Sequence, residues 1–404
     1  MTEYWEPRSE ADLEAAIQQQ LLRESHVFDV KKHPPPAAKN RDIAIDLASF
    51  AVNGGKILFG ISQSVSSGPT SLNPFSTAGL PERLDQIARG GAIDPPLRIR
   101  CVDIASDHQP GLGYLLVVIP PSPDAPHMVD GRYRYRSDRT NAVMSDAEVR
   151  RVADLRARRK ADVAAILQAE VERDPTNSSL RTQGHLFIVA QPLLGAPDLL
   201  ARAIRSRDWR SWLQGAFQQQ VMSLVARVGA PDLFREAQTI SSRLDGWAIG
   251  TYEMGEDRRL RPNGSLPIHE DSLLDLEIRD DGSLHLFCAR ASFDWPPRGP
   301  TIFHALVVGL TRRVVRAAIA VVAQTDYQGD WGFGLAIRGL GNASVDRGPI
   351  SGMNPRRIGS YDETMTAAYE QLMAAPDQVV QQLLARFFRG LGHLDEVPGL
   401  EGLT

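Results

Sequence analysis

Cysteine is scarce in this chain. Cys101 and Cys288 are the two among 404 residues, far apart and with no CxxC or histidine-rich pattern beside them. That excludes a disulfide framework and a structural zinc site of ordinary spacing, and makes the reducing cytoplasm the expected location. Long apolar runs are lacking too. The most apolar stretch, 302–323, is interrupted by Arg312, Arg313 and Arg316, so it is expected to be a buried amphipathic helix and no membrane is expected as partner. The opening MTEYWEPRSEADLEAAI has acids and no apolar core, which excludes an ordinary secretory signal. Positive charge is not in excess: the formal net charge is -4, which argues against an overall basic coat for nucleic acid but leaves room for a basic patch. No GxxxxGK[ST] occurs, so ATP is not expected as a ligand. Gly332, Gly334 and Gly339 do not fit GxGxxG and fall inside an expected strand, where core packing explains them better.

What is present is the composition of a soluble globular protein, 43% hydrophobic and 23% charged, in a chain long enough for two domains. An α+β fold is expected: an extension over 1–15, a mixed sheet with flanking helices over 16–160, and a second α+β domain over 161–404. In the first domain, a capped helix is expected over 9–22, a strand at VFDVKK and a loop at the triple proline 34–36. A helix from Asn40 to the Asn53-Gly54-Gly55 turn follows, then the strand KILFGI, a Ser/Gly/Pro loop over 62–74 and a helix at LPERLDQIARG. Strands at PPLRIRCVDI, YLLVVIPPS and RYRYR and a capped helix from SDAEV complete it. The second domain is expected to hold a strand at HLFIVAQPLL, a long helix over 207–229 and a hairpin around Asp281-Gly282. The helix 302–323, a strand at WGFGLAIRGL and closing helices at 361–374 and 376–389 end it. Trp209, Trp212, Trp247 and Trp331 are expected in the core or an interface.

The segment 24–63 concentrates the chemistry. Glu24 and Asp29, five positions apart, precede Lys31, and the strand ILFGI is placed to return a third polar group to the same edge, which is how small metal or phosphate sites are assembled. The plainer reading is a solvated Glu24 and a surface pair of Asp29 with Lys31. Gly54-Gly55 is expected to give a left-handed helix terminus and close strand packing. In RYRYRSDR, strand alternation would put Arg132, Arg134 and Arg136 on one face; these, with Arg139 and the interleaved Tyr133 and Tyr135, suit phosphate and unpaired bases. A charge-defended edge strand is the alternative. The basic run Arg150, Arg151, Arg156, Arg158, Arg159 and Lys160 is either an extension of that footprint or a solvated helix face. His269, Glu270, His285 and His304 form no metal-ligand spacing.

Taken in order, ESHVFDVKK, SFAVNGGKILFGI, VVIPPS, the pair Pro126-His127 and YRYRSDRTNAVMSDAEV resemble the Schlafen AlbA_2 family over about 16–156. The resemblance implies a nucleic-acid-binding protein, RNA before DNA, in antiviral defence or regulation in bacteria. In the family's ribonuclease members, two acids and a lysine stand at the positions of Glu24, Asp29 and Lys31, with Asp29 replacing a more usual Glu. A metal-dependent endonuclease acting on tRNA-like or structured RNA would then hold Mg2+ or Mn2+ on Glu24 and Asp29, with Gln63 as a third oxygen and Lys31 on the scissile phosphate. His127 would be a phosphate ligand or general acid, or else structural. The chain departs from the pattern at Ser62 and Gln63, where the nucleases carry Asp, although Asp42 or Asp46 could compensate from the following helix. The alternative is a non-catalytic binding or assembly module with a degenerate site, whose second domain recognises a copy of itself or a partner protein of a defence system.

Overall fold

Ser9 opens the first helix, α1 (Glu10–Gln18), through a capping box: its Oγ accepts the Asp12 N–H and its own N–H donates to the Asp12 carboxylate. In this computed structural model the described residues are 5–64, 68–122, 124–137, 139–176, 181–195, 197–206, 209–218, 239–258, 269–295, 299–325, 327–341, 343–345 and 358–392. Contacts divide the chain into two units, Met1–Arg158 and Arg159–Thr404. The fold is α+β in both.

After α1, the first unit runs β1 (Phe28–Lys31), α2 (Asn40–Phe50), β2 (Gly55–Phe59), β3 (Ile61–Ser64), β4 (Gly68–Leu72) and α3 (Leu80–Arg89). β5 (Arg100–Ala105), β6 (Gly113–Ile119), β7 (Met128–Val129), β8 (Arg132–Arg136), β9 (Asn141–Val143) and the start of α4 (Asp146–Glu172) follow. Its main sheet has the order β1-β2-β6-β5, with β1 parallel to β2 and the other pairs antiparallel. β6 is buried along its whole length because helices cover both faces, which is why YLLVVI reads as an unbroken apolar run. Ile57, Phe59, Leu115 and Val117 pack with α2 and α3, while Phe28, Val30, Leu58 and Leu116 pack with α1. Gly54 (φ 77°) and Gly55 make the expected tight passage: a Cβ on Gly54 would lie 2.7 Å from Pro121 Cδ, and one on Gly55 2.2 Å from Phe50 Cδ1. The expected loop over 62–74 is instead largely the β3–β4 hairpin, with a register shift at Ser62/Gln63. Ladder bonds come from the backbone, so a Ser/Gly/Pro composition did not prevent pairing.

The second unit is built on a seven-stranded antiparallel sheet. Its strands in chain order are β10 (His185–Pro192), β11 (Thr239–Arg243), β12 (Gly246–Gly250), β13 (Leu274–Arg279), β14 (Leu284–Cys288), β17 (Trp331–Arg338) and β19 (Tyr361–Ala367). A small sheet of β15 (Ser292–Trp295), β16 (Gly299–Ile302) and β18 (Ser344–Val345) lies apart. α5 (Ala201–Ile204), α6 (Trp209–Gln218), α7 (His304–Gln324), α8 (Tyr369–Ala374) and α9 (Pro376–Gly390) share one core with the sheet. The helix expected over 207–229 is α6 as far as Gln218, and its remainder lies outside the described residues. Val163 and Leu167 of α4 join Phe187, Val189 and Phe287 in another core. Gly332 and Gly334 serve that packing, since a Cβ on Gly332 would lie 2.3 Å from Val163 Cγ2. The expected hairpin forms, with Gly282 at φ 84°. Another expectation fails here: 361–367 is strand β19, with the alternating burial of a strand beside β17, and the helix begins only at Tyr369. Arg312 of α7 is buried and pairs with Asp377 at 2.8 and 2.7 Å. No helix among the described residues is long and apolar enough to cross a membrane.

Candidate nucleic-acid interface

Alternation along β1 sends Phe28 and Val30 toward α1, so Asp29 and Lys31 share the α2 side of the sheet. Of the two acids on α2, Asp42 is exposed and Asp46 is buried. Lys31 Nζ lies 3.2 Å from Asp29 Oδ2 and 3.1 Å from Asp46 Oδ2. β8 and β9 pack on α2 and bring two more groups. Arg136 Nη2 is 3.3 Å from Asp29 Oδ1, its Nη1 donates to Asn141 Oδ1 at 3.2 Å, and Asn141 Nδ2 donates to Asp46 Oδ1 at 2.6 Å. The five side chains close a ring of two carboxylates, two cations and one amide, with zero net charge. Arg136 also lies over the Phe50 ring, 4.9 Å from its centroid. Burial pulls Lys31 down, but Asp46 and Asp29 outweigh it and hold the ammonium above its ordinary value. Its side chain is 28% exposed, the opening of an otherwise closed cluster.

This arrangement does not fit a divalent cation. Both oxygens of Asp29 and of Asp46 already accept from Lys31, Arg136, Asn141 or the Val30 N–H. Glu24 is half-buried ahead of the Ser25–Phe28 bridge. It joins no group of three ligating side chains with Asp29 among the described residues. The side chain of Gln63 lies outside the described residues, and Ser62 is half-buried on β3.

The arginines separate along β8. Arg132 is exposed, Arg134 half-buried and Arg136 buried, a row that descends from solvent into the ring. Arg136, expected on phosphate, is therefore committed to Asp29 and Asn141. Arg139 is exposed beyond the strand, and Tyr133 and Tyr135 are half-buried on the other face. His127 is withdrawn from the interface: it is fully buried, with Nδ1 2.6 Å from the Pro95 carbonyl and Nε2 2.6 Å from Ser122 Oγ. Burial lowers its pKa, so it is a neutral structural imidazole. In the basic run, Arg150 and Arg151 are exposed, Arg150 beside Asp146 at 3.0 Å. Arg156 donates to the Ala125 carbonyl at 2.9 Å, and the side chains of Arg158, Arg159 and Lys160 lie outside the described residues. Sequence reasoning missed Asn141 and Phe50. The available signal for Asp46 was a carboxylate among the apolar positions Ile43, Ala44, Leu47 and Ala48.

The second unit holds a cluster that sequence spacing did not reveal. Glu170, Glu277 and His285 bring ligand atoms within 4.8 Å of one another, all buried. Guanidinium groups already surround them. Arg173, Arg258 and Arg279 contact Glu170 at 2.7, 2.8 and 3.3 Å, and Arg243 approaches Glu277 at 3.5 Å and Asp275 at 3.8 Å. Four arginines thus face three carboxylates, and adding a dication to that excess of positive charge is unfavourable. Despite the cost of burial, Arg258 and the other cations hold Glu170 well below the carboxylate range, and Arg173 leads those that hold Glu277 at about 2. Burial pushes the Asp275 carboxyl up and lowers His285. It also pushes both thiols, Cys101 and Cys288, up to about 12, so neither supplies a reactive thiolate at neutral pH.

No family model matches this chain, and no curated protein does. Among solved structures it is similar to the DIP2311 protein from Corynebacterium diphtheriae, at 17% identity and a TM-score of 0.22, over 51% of this chain. The match spans 37% of that protein's length.

Proposed function

We propose that the first unit is a nucleic-acid-binding module of the Schlafen AlbA_2 kind that holds RNA by its phosphates without hydrolysing it. The observation that carries this reading is the row from exposed Arg132 through Arg134, together with carboxylates already filled by Lys31 and Arg136. Guanidinium forks suit phosphate oxygens, and the half-exposed Lys31 ammonium adds a charge that the acid pair keeps protonated. The ring fixes Arg136, and through it the end of β8, so the outer arginines sit on a rigid strand. Bases stay free for stacking or for none, which makes a structured or single-stranded RNA of no fixed sequence the expected ligand.

Fluorescence anisotropy with a labelled RNA hairpin across a salt series tests the reading. Binding should weaken steeply with salt, and Arg132→Ala with Arg134→Ala should shrink the slope by about 0.7 for each single-stranded phosphate that the variant leaves un-neutralised. No binding at low salt would sink it in favour of an assembly module. Cleavage of the hairpin with Mn2+ that Asp29→Ala abolishes would replace it with the metal-dependent endonuclease.

A further inference from the structure

His185, the first residue of β10, is fully buried and meets a carboxylate with each ring nitrogen. Nδ1 lies 2.8 Å from Asp174 Oδ2, and Nε2 lies 2.9 Å from Glu270 Oε1. An ionised carboxylate only accepts, and a neutral imidazole has one N–H, so both contacts are hydrogen bonds only when the ring carries two protons. Each acid belongs to a different stretch of the second unit. Asp174 follows α4, and Arg181 Nη2 lies 2.6 Å from its Oδ2. Glu270 opens the 3-10 turn Glu270–Ser272 and accepts both the Thr182 backbone N–H, at 3.1 Å, and the Thr182 hydroxyl. Phe287 of β14 closes the site edge-on, with ring centroids 5.4 Å apart.

The charges facing the ring balance only when it is protonated. Asp174 and Glu270 contribute two negative charges, and Arg181 one positive. Arg338 of β17, opposite His185 in the ladder, is engaged by the Tyr361 carbonyl at 3.0 Å and Asp362 at 2.6 Å. From β14 on the same sheet face, His285 is bound to Glu170 at 2.8 Å.

We propose that His185 is a two-armed latch: as an imidazolium it fastens Asp174, just past the end of α4, to the turn Glu270–Ser272, and it releases one arm on losing its proton. Burial opposes the charge, but the bonds to Asp174 and Glu270 outweigh it and raise the proton affinity of the ring. A pKa raised in the folded state gives a contribution fully present below the free-histidine value, about 6.5, and lost as pH rises through the folded value. The latch is therefore closed throughout the ordinary histidine range and opens only as pH rises through the raised folded value, opposite to an ordinary buried neutral histidine such as His127.

Long-range proton–nitrogen NMR of the imidazoles in the full chain tests this directly. Both His185 nitrogens should show imidazolium shifts at about pH 7, where free histidine is mostly neutral. The Thr182 amide, corrected for intrinsic exchange, should lose up to about tenfold in protection for each pH unit between the free-histidine value and the folded one, and level off above it. Glu270→Gln and Asp174→Asn should remove that pH dependence while protection at Ile188 and Leu286 stays unchanged, which reports an intact sheet. A neutral His185 ring at about pH 7, or flat Thr182 protection between about pH 6 and about pH 9, overturns the proposal.

Discussion

Two of the acid and arginine clusters among the described residues differ in charge balance. The ring of Asp29, Lys31, Asp46, Arg136 and Asn141 in the first unit is neutral and opens to solvent at Lys31. In the second, four arginines, Arg173, Arg243, Arg258 and Arg279, face the carboxylates of Glu170, Asp275 and Glu277; the acids and Arg258 are buried, while Arg173 and Arg279 reach solvent at the rim. Buried ions are held by their partners, so the second cluster fixes how α4 meets β13 and β14 and has little scope for a ligand. The first cluster leaves a cation half-exposed at the foot of an arginine row, where the proposed reading puts the RNA phosphate. The same residue types thus form a neutral ring in one unit and a cation-rich network in the other, and charge balance is what divides them.

The largest effect should come from Arg258→Met. It leaves Glu170 and Asp275 without their nearest shared cation in a site that excludes water, so urea unfolding of the second unit should show a loss of about 3–5 kcal/mol. A loss below about 1 kcal/mol would mean that the network is not what holds this face together.

Acid should come next. The folded pKa of Glu277 is depressed to about 2 and that of Glu170 lies lower still, so their contribution is present above the unfolded carboxylate range and disappears as pH falls through the folded values. The Glu277 shift corresponds to roughly 3 kcal/mol. His285, lowered by burial, acts in the same direction, while Asp275, raised, opposes it. Melting temperature followed from neutral pH down to about pH 3 should fall, and less so in Glu277→Gln.

The smallest effect separates the two clusters most sharply. Lys31→Met should cost only about 1 kcal/mol, because solvent reaches the ammonium and Arg136 and Asn141 remain on the acids. It should nevertheless weaken RNA binding measurably. Unchanged RNA affinity in this variant would make the ring structural like its counterpart in the second unit.

Much of the fold was legible in the residues. The Ser9 cap, the helical spacing in 40–50, the apolar runs of β2 and β6, and the Asp281-Gly282 hairpin are local signals, and each gave an element close to its final bounds. The segment 361–367 misled because YDETMTA carries few apolar residues. Its alternation became meaningful only beside β17. The site was half legible: Asp29 and Lys31 were identified together and meet, whereas Glu24 forms no ligand group with Asp29, His127 is buried, and Arg136 turns inward.

The sequence by itself determined that two α+β units form, and that acids, a lysine and a run of arginines lie on particular strands. It did so because capping, apolar periodicity and turn chemistry act over a few residues. Only the tertiary structure decided the pairings of Asp29 with Arg136, Glu170 with His285 and His185 with Glu270, across 85 to 115 positions of chain. Those depend on register and on which face a helix covers. Burial then decides whether each charge is a partner for its neighbour or for something in solution.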